Sequence, residues 1–201
     1  MLFDKTFKKK VCIKNNQLID SKKILGFWIY LMSDCIIFGI LFATFFVMKN
    51  SIFGKFISRD IFNLNIITIE TIVLLLSSMC YGMISYTNKN YCNYNLKLLL
   101  CTFFLGVIFV CIELNEFHNL YINNFTPSTN SFFSAYYTLL STHCIHVIIG
   151  LIWIIITICK SCYPLTKGMR TNYICLGLFW HFIDIIWICI FNFVYLVGIF
   201  L

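Results

Sequence analysis

Nine ionisable side chains of the sequence lie within or at the end of long apolar runs. They are Asp34, Glu70, Glu113, Glu116, His118, His143, His146, His181 and Asp184. Carboxylates and imidazoles bind metal ions and transfer protons. Burial of such a group in apolar surroundings costs free energy unless the group forms a hydrogen bond or an ion pair with another polar group. These nine residues are therefore the candidate functional residues of the chain.

Six of these residues form three pairs, each with a separation of three residues. The pairs are Glu113 with Glu116, His143 with His146, and His181 with Asp184. Residues three apart on a helix share one face. We therefore expect the two members of each pair to share one face of their helix.

The spacing alone leaves three interpretations open. In the first, the polar groups join helices through hydrogen bonds, the common role of polar residues in membrane-helix packing. In the second, His146 and His181 bind a haem from two helices. In the third, Glu113 and Glu116 bind two irons, although the Glu-x-x-His sequence of such sites does not occur. A proton-conducting carrier is disfavoured because no apolar run is broken by proline or paired glycines.

The composition identifies the surroundings of these residues as a membrane. The 201 residues are 60% hydrophobic and 11% charged, whereas soluble domains have about 25% charged residues. A soluble globule of this size would expose far too much apolar surface. These values also exclude a nucleic-acid-binding domain and a disordered chain.

Five apolar runs are long enough to cross a bilayer, which requires about 20 helical residues. They contain no Lys or Arg and are continuously apolar, which favours helices over strands. We predict an all-α membrane protein with five transmembrane helices at residues 25–48, 66–86, 98–117, 133–159 and 173–199. Residues 1–24 would form a basic N-terminal segment, and residues 25–201 a single transmembrane domain.

The distribution of basic residues predicts the topology. Twelve of the 15 Lys and Arg residues lie on the side of the N-terminus, so the positive-inside rule places that terminus in the cytoplasm and the C-terminus in the periplasm. Asp34, His181 and Asp184 then lie in the inner half of the bilayer, and Glu70 and residues 113–118 in the outer half. Without basic residues in the helices, these acids must be protonated, hydrogen-bonded or matched by a partner chain.

Several motifs resemble those of subunit III of the haem–copper oxidases, in the five-helix form of the cytochrome bo-type ubiquinol oxidases. In chain order they are Gly26-Phe27-Trp28-Ile29-Tyr30-Leu31-Met32-Ser33-Asp34-Cys35, Glu70-Thr71, Glu113-x-x-Glu116-Phe117-His118, Thr142-His143-x-x-His146-Val147 and Trp180-His181-Phe182-x-Asp184-x-x-Trp187. The resemblance runs from about Ile24 to the C-terminus, with departures at Asn115 and Asn119.

This resemblance implies a multi-pass protein of the bacterial inner membrane, within a complex that oxidises ubiquinol, reduces oxygen to water and pumps protons. It implies that haem and copper belong to subunit I and that this chain carries no catalytic residue or redox cofactor. The partners would be subunit I as the main contact, subunits II and IV, and phospholipids, with no nucleic acid. The chain would support assembly, stability and lipid binding, and the alternative is a haem-binding cytochrome b-like anchor that transfers electrons itself.

We further predict how five of the candidate residues act. Asp34, His143, His146, His181 and Asp184 would form a hydrogen-bonded belt that joins the first, fourth and fifth helices. This belt would fix the face of the bundle that meets subunit I.

Overall fold

The computed structural model describes residues 2–49, 64–86, 92–123, 126–128, 131–161 and 167–196. These residues form five α-helices: α1 (Leu2–Lys49), α2 (Leu64–Tyr86), α3 (Cys92–Ile122), α4 (Ser131–Ser161) and α5 (Lys167–Ile190). A π-helical turn, Phe191–Leu196, follows α5 directly. None of the described residues belongs to a β-strand.

Each of the five helices contains a stretch long and apolar enough to cross a membrane, which confirms the predicted all-α fold with five spans. The stretches are Ser21–Met48, Asn65–Ile84, Asn95–Ile122, Ser131–Lys160 and Thr171–Tyr195.

The first four helices are longer than the apolar runs that predicted them. α3 covers Cys92–Ile122, whereas the sequence predicted a span at residues 98–117, and α1 begins at Leu2 rather than near residue 25. Lysine and similar straight-chain polar residues are good helix formers, so a helix continues after its apolar run has ended. The end of the fifth predicted span, residues 197–199, lies outside the described residues.

α5 lies at the centre of the bundle. It packs against α1, α2 and α4, while α3 packs against α2 and α4, and α1 packs against α4 and α5. In the most apolar part of α5, 56% of the residues are buried, against 22% in α1. α1 is therefore a peripheral helix, and it packs against α4 and α5 on one side of the bundle.

α1 presents a narrow stripe of buried side chains to the bundle. The stripe consists of Leu31, Asp34, Phe38 and Phe45, which repeat at helical spacing. Because Asp34 belongs to this stripe, the packing of α1 turns its carboxyl group toward the other helices and away from lipid.

The Trp180 indole of α5 fits between two glycines of neighbouring helices. A Cβ atom built on Gly106 of α3 would lie 3.0 Å from the indole, and one built on Gly150 of α4 would also lie 3.0 Å from it. The indole Nε1–H donates a hydrogen bond of 3.0 Å to Ser77 Oγ of α2. Trp180 thus connects α5 to three helices, and the two glycines provide the space for its ring.

We expect Gly150→Val to destabilise the bundle. Its added carbons would meet the buried rings of Trp180 and Phe179, whose nearest atoms would lie 3.0 and 3.2 Å from a Cβ. Overpacking of this kind costs about 1–3 kcal/mol. Thermal unfolding of the purified chain in detergent measures the effect. Gly39→Val is the matched control because no described atom lies within 4 Å of a Cβ at that position; equal loss in both variants would contradict this packing.

Candidate functional site

Asp34 of α1 and His146 of α4 form a contact across the interface of these helices. Asp34 Oδ2 lies 3.9 Å from His146 Nε2. His146 Nδ1–H donates a hydrogen bond of 2.8 Å to the Thr142 carbonyl, since a carbonyl oxygen only accepts. Nε2 is the ring atom that faces the carboxyl group. The Phe38 ring covers the imidazole at a centroid distance of 5.1 Å.

His143 joins α4 to α5. Its Nε2–H donates a hydrogen bond of 3.3 Å to the Ile183 carbonyl, which fixes the ring tautomer. The imidazole is fully buried, and its ring centroid lies 5.2 Å from Trp187 and 5.9 Å from Phe109. A carbonyl oxygen inside a helix already accepts one backbone hydrogen bond from its own helix. The hydrogen bond from His143 therefore uses the second lone pair of the Ile183 carbonyl oxygen.

His181 and Asp184 share one face of α5, as their spacing predicted, and this face is directed toward α2. The His181 ring lies edge-on to Tyr81 at a centroid distance of 6.4 Å and is exposed. Asp184 is buried and faces the Ser78 side chain, although neither carboxyl oxygen has a hydrogen-bond partner of good geometry among the described residues. The structure thus brings Asp34 together with His146 and places His181 and Asp184 elsewhere.

A second group, the acidic cluster, lies where α2 begins and α3 ends. Its members are Glu70, Glu113, Glu116, Tyr136 and Tyr195. The hydroxyl groups of both tyrosines donate to Glu116 Oε1, each at 3.3 Å, and the two hydroxyl oxygens lie 2.9 Å apart. These bonds join α3, α4 and the π-helical turn.

Glu70 and Glu113 complete the acidic cluster from two helices and are fully buried. No hydrogen-bond partner of good geometry for either carboxyl group occurs in the described part of the chain. The Cys144 thiol of α4 faces Glu113. His118 is exposed and is not part of this cluster.

The two tyrosines of the acidic cluster are the functional groups that the sequence analysis missed. Both lie within apolar runs, where tyrosine is read as an apolar aromatic residue. Their hydroxyl groups could have predicted hydrogen bonds inside the bundle, since a buried tyrosine usually has a hydrogen-bond partner.

The two histidines of the haem interpretation face different helices. His146 faces Asp34 and Phe38 of α1, whereas His181 lies beside Tyr81 of α2. Across the described ranges, no group of three or more His, Cys, Asp and Glu side chains is arranged to hold a metal ion. The geometry of these residues is that of interhelical contacts.

These features define the class of protein: a polytopic membrane bundle whose buried acids and imidazoles connect its helices. Residues 10–199 match the family model described as cytochrome c oxidase subunit III, and the chain belongs to this family. The resemblance found in the motifs is confirmed.

The chain is also similar to curated relatives over nearly its whole length. It is 45% identical to cytochrome bo(3) ubiquinol oxidase subunit 3 of Buchnera aphidicola subsp. Schizaphis graminum, over 89% of this chain and 96% of that protein. The protein of the same name from Buchnera aphidicola subsp. Baizongia pistaciae is 46% identical, over 95% and 98% of the two chains. That from Pseudomonas aeruginosa is 41% identical, over 87% and 85%.

We expect Glu116→Leu to destabilise the bundle more than Glu116→Gln. The amide oxygen of glutamine still accepts from the tyrosine hydroxyls, whereas leucine removes the acceptor, and a buried polar group without a partner costs about 1–3 kcal/mol. Thermal unfolding of the purified chain in detergent tests this difference. Asn115→Leu, on the exposed side of the same helix turn, should have little effect. Equal stability of the leucine and glutamine variants would count against the hydrogen bonds.

Proposed function

We infer that this chain is subunit III of a bacterial ubiquinol oxidase that reduces oxygen to water and pumps protons. The observation that carries this inference is the identity of 41–46% to ubiquinol oxidase subunits 3 over most of both chains. The five apolar helices agree with a multi-pass protein of the bacterial inner membrane. In this function the chain is a non-catalytic component, and haem and copper belong to subunit I.

The contacts inside the bundle support a scaffolding role. Three sets of hydrogen bonds described above join different helices: Trp180 to Ser77, His143 to Ile183, and the tyrosine hydroxyls to Glu116. Between helices in lipid there is little hydrophobic driving force, so close packing and hydrogen bonds determine their arrangement. A subunit built in this way presents a fixed surface to its neighbours.

We place the contact with subunit I on the face of the bundle where the His181 side chain of α5 is exposed. An imidazole that is exposed at the depth of a membrane span lacks a polar partner in hydrocarbon, so a neighbouring protein or a lipid headgroup must supply one. The His181 side chain stays exposed although α2 packs against α5 beside it. Phospholipids would fill the parts of this face that subunits I, II and IV do not cover.

Purification of the tagged chain in mild detergent tests the proposed function. We expect a larger membrane subunit that contains haem to accompany it, and the purified complex to oxidise ubiquinol with uptake of oxygen. The chain separated from the complex should show no reduced-minus-oxidised haem spectrum. A b-type spectrum that belongs to the isolated chain and disappears with His146→Leu would overturn the proposal.

The proposed contact predicts the effect of replacing His181. His181→Leu should lower the yield of assembled oxidase at least several-fold, because it leaves a polar group of the partner unsatisfied at a cost of about 1–3 kcal/mol. His181→Gln retains a donor and an acceptor and should assemble nearly normally. The isolated His181→Leu chain should unfold at the wild-type temperature because the side chain is exposed. Normal assembly of the leucine variant would argue against this contact.

The proposed topology is tested with reporter fusions. Alkaline phosphatase fused after residue 201 should be active, since we place the C-terminus in the periplasm. The same reporter fused after residue 90, between α2 and α3, should be inactive because that connection would lie in the cytoplasm. The opposite pattern of activities would reverse the orientation.

A further inference from the structure

Two cysteine side chains meet at the interface of α2 and α3. Cys80 Sγ and Cys101 Sγ lie 3.8 Å apart, within hydrogen-bonding distance for sulfur. Both thiols are free; Cys101 is exposed and Cys80 partly exposed. Elsewhere in the described part of the chain, no second pair of cysteine sulfurs has such a contact. The pair is separate from the acidic cluster and from the contacts of α1 with α4.

The pair lies near one end of the membrane spans. The apolar stretch of α2 ends at Ile84, and that of α3 begins at Asn95. At a rise of about 1.5 Å per residue, the two thiols lie roughly 6–9 Å inside this end. Lipid-soluble molecules reach this depth, whereas charged hydrophilic thiols such as glutathione are excluded from hydrocarbon. A lipid-soluble oxidant therefore reaches the pair more readily than a charged hydrophilic thiol does.

The surroundings favour one reaction of this pair over metal binding. A structural metal site uses about four ligands, and among the described residues no further His, Cys, Asp or Glu side chain joins this pair to form a metal-binding group. A disulfide is uncharged, and its formation requires the two sulfur atoms to approach from 3.8 Å to about 2.05 Å. We propose that Cys80 and Cys101 close into a disulfide between α2 and α3, with a lipid-soluble quinone as the oxidant.

The quinone accepts the electrons and protons that the two thiols release. Two S–H bonds break and one S–S bond forms, so the thiols lose two electrons and two protons. The two carbonyl oxygens of the quinone take up both and become the hydroxyl groups of a quinol. The inference goes beyond the proposed function and requires from it only that the membrane contains a quinone. Its consequence is a covalent connection between two helices that are otherwise held by packing.

Differential thiol labelling of membranes that contain the complete complex tests the proposal. The membranes are reduced, washed, treated with a short-chain ubiquinone and then denatured in the presence of N-ethylmaleimide, which blocks every free thiol, including the buried Cys144 and Cys175. After reduction, a polyethylene-glycol maleimide labels the thiols that had been oxidised. We expect a gel shift of two labels for the wild-type chain and none for Cys80→Ser or Cys101→Ser.

Cys111→Ser is the matched control, because Cys111 is also an exposed cysteine of α3. This variant should keep the shift of two labels, and mass spectrometry of the unreduced chain should identify a peptide of α2 linked to one of α3. A shift that persists in Cys80→Ser, or the absence of a shift after quinone treatment, would overturn the proposal. A link formed with diamide but not with ubiquinone would show that the assignment of the oxidant is wrong.

Discussion

The arrangement of the helices depends on one buried side chain, the indole of Trp180. It belongs to α5, fits against Gly106 of α3 and Gly150 of α4, and donates a hydrogen bond to Ser77 of α2. In a bilayer, lipid tails solvate apolar side chains as well as a neighbouring helix does, so shape and hydrogen bonding select the neighbours. The Trp180 ring provides both the close fit and the hydrogen bond, and in this way it contacts three neighbouring helices. α5 is therefore the central helix.

The same constraint explains where the acids and imidazoles lie. A carboxyl group inside a span has no lysine or arginine of the apolar runs as a partner, so it must lie against hydroxyl, thiol, imidazole or backbone groups. Asp34 lies against His146, and Glu116 accepts from two tyrosines. Each arrangement requires groups from different helices. The polar residues in these contacts thus specify which helices are neighbours.

Most of the fold was predictable from the sequence, and part of the site was not. Five runs without basic residues leave membrane helices as the only structure that satisfies the backbone. The spacing of His181 and Asp184 correctly predicted a shared face, but helical periodicity does not reveal which neighbour that face meets. That neighbour is α2 rather than α1 and α4. Tyr195 was not predictable as a partner of Glu116, because the π-helical turn changes the direction of its side chain.

The π-helical turn has a consequence for how such chains are compared. A turn of this kind is equivalent to one residue inserted into an α-helix, and it rotates everything that follows by about 100°. Asn192 stabilises it with a side-chain bond of 2.9 Å to the Ile188 carbonyl. Removal of a single residue from Phe191–Leu196 would restore regular winding and carry the Tyr195 hydroxyl away from Glu116. An alignment gap at this point would therefore mark a change in geometry even where every flanking residue is identical.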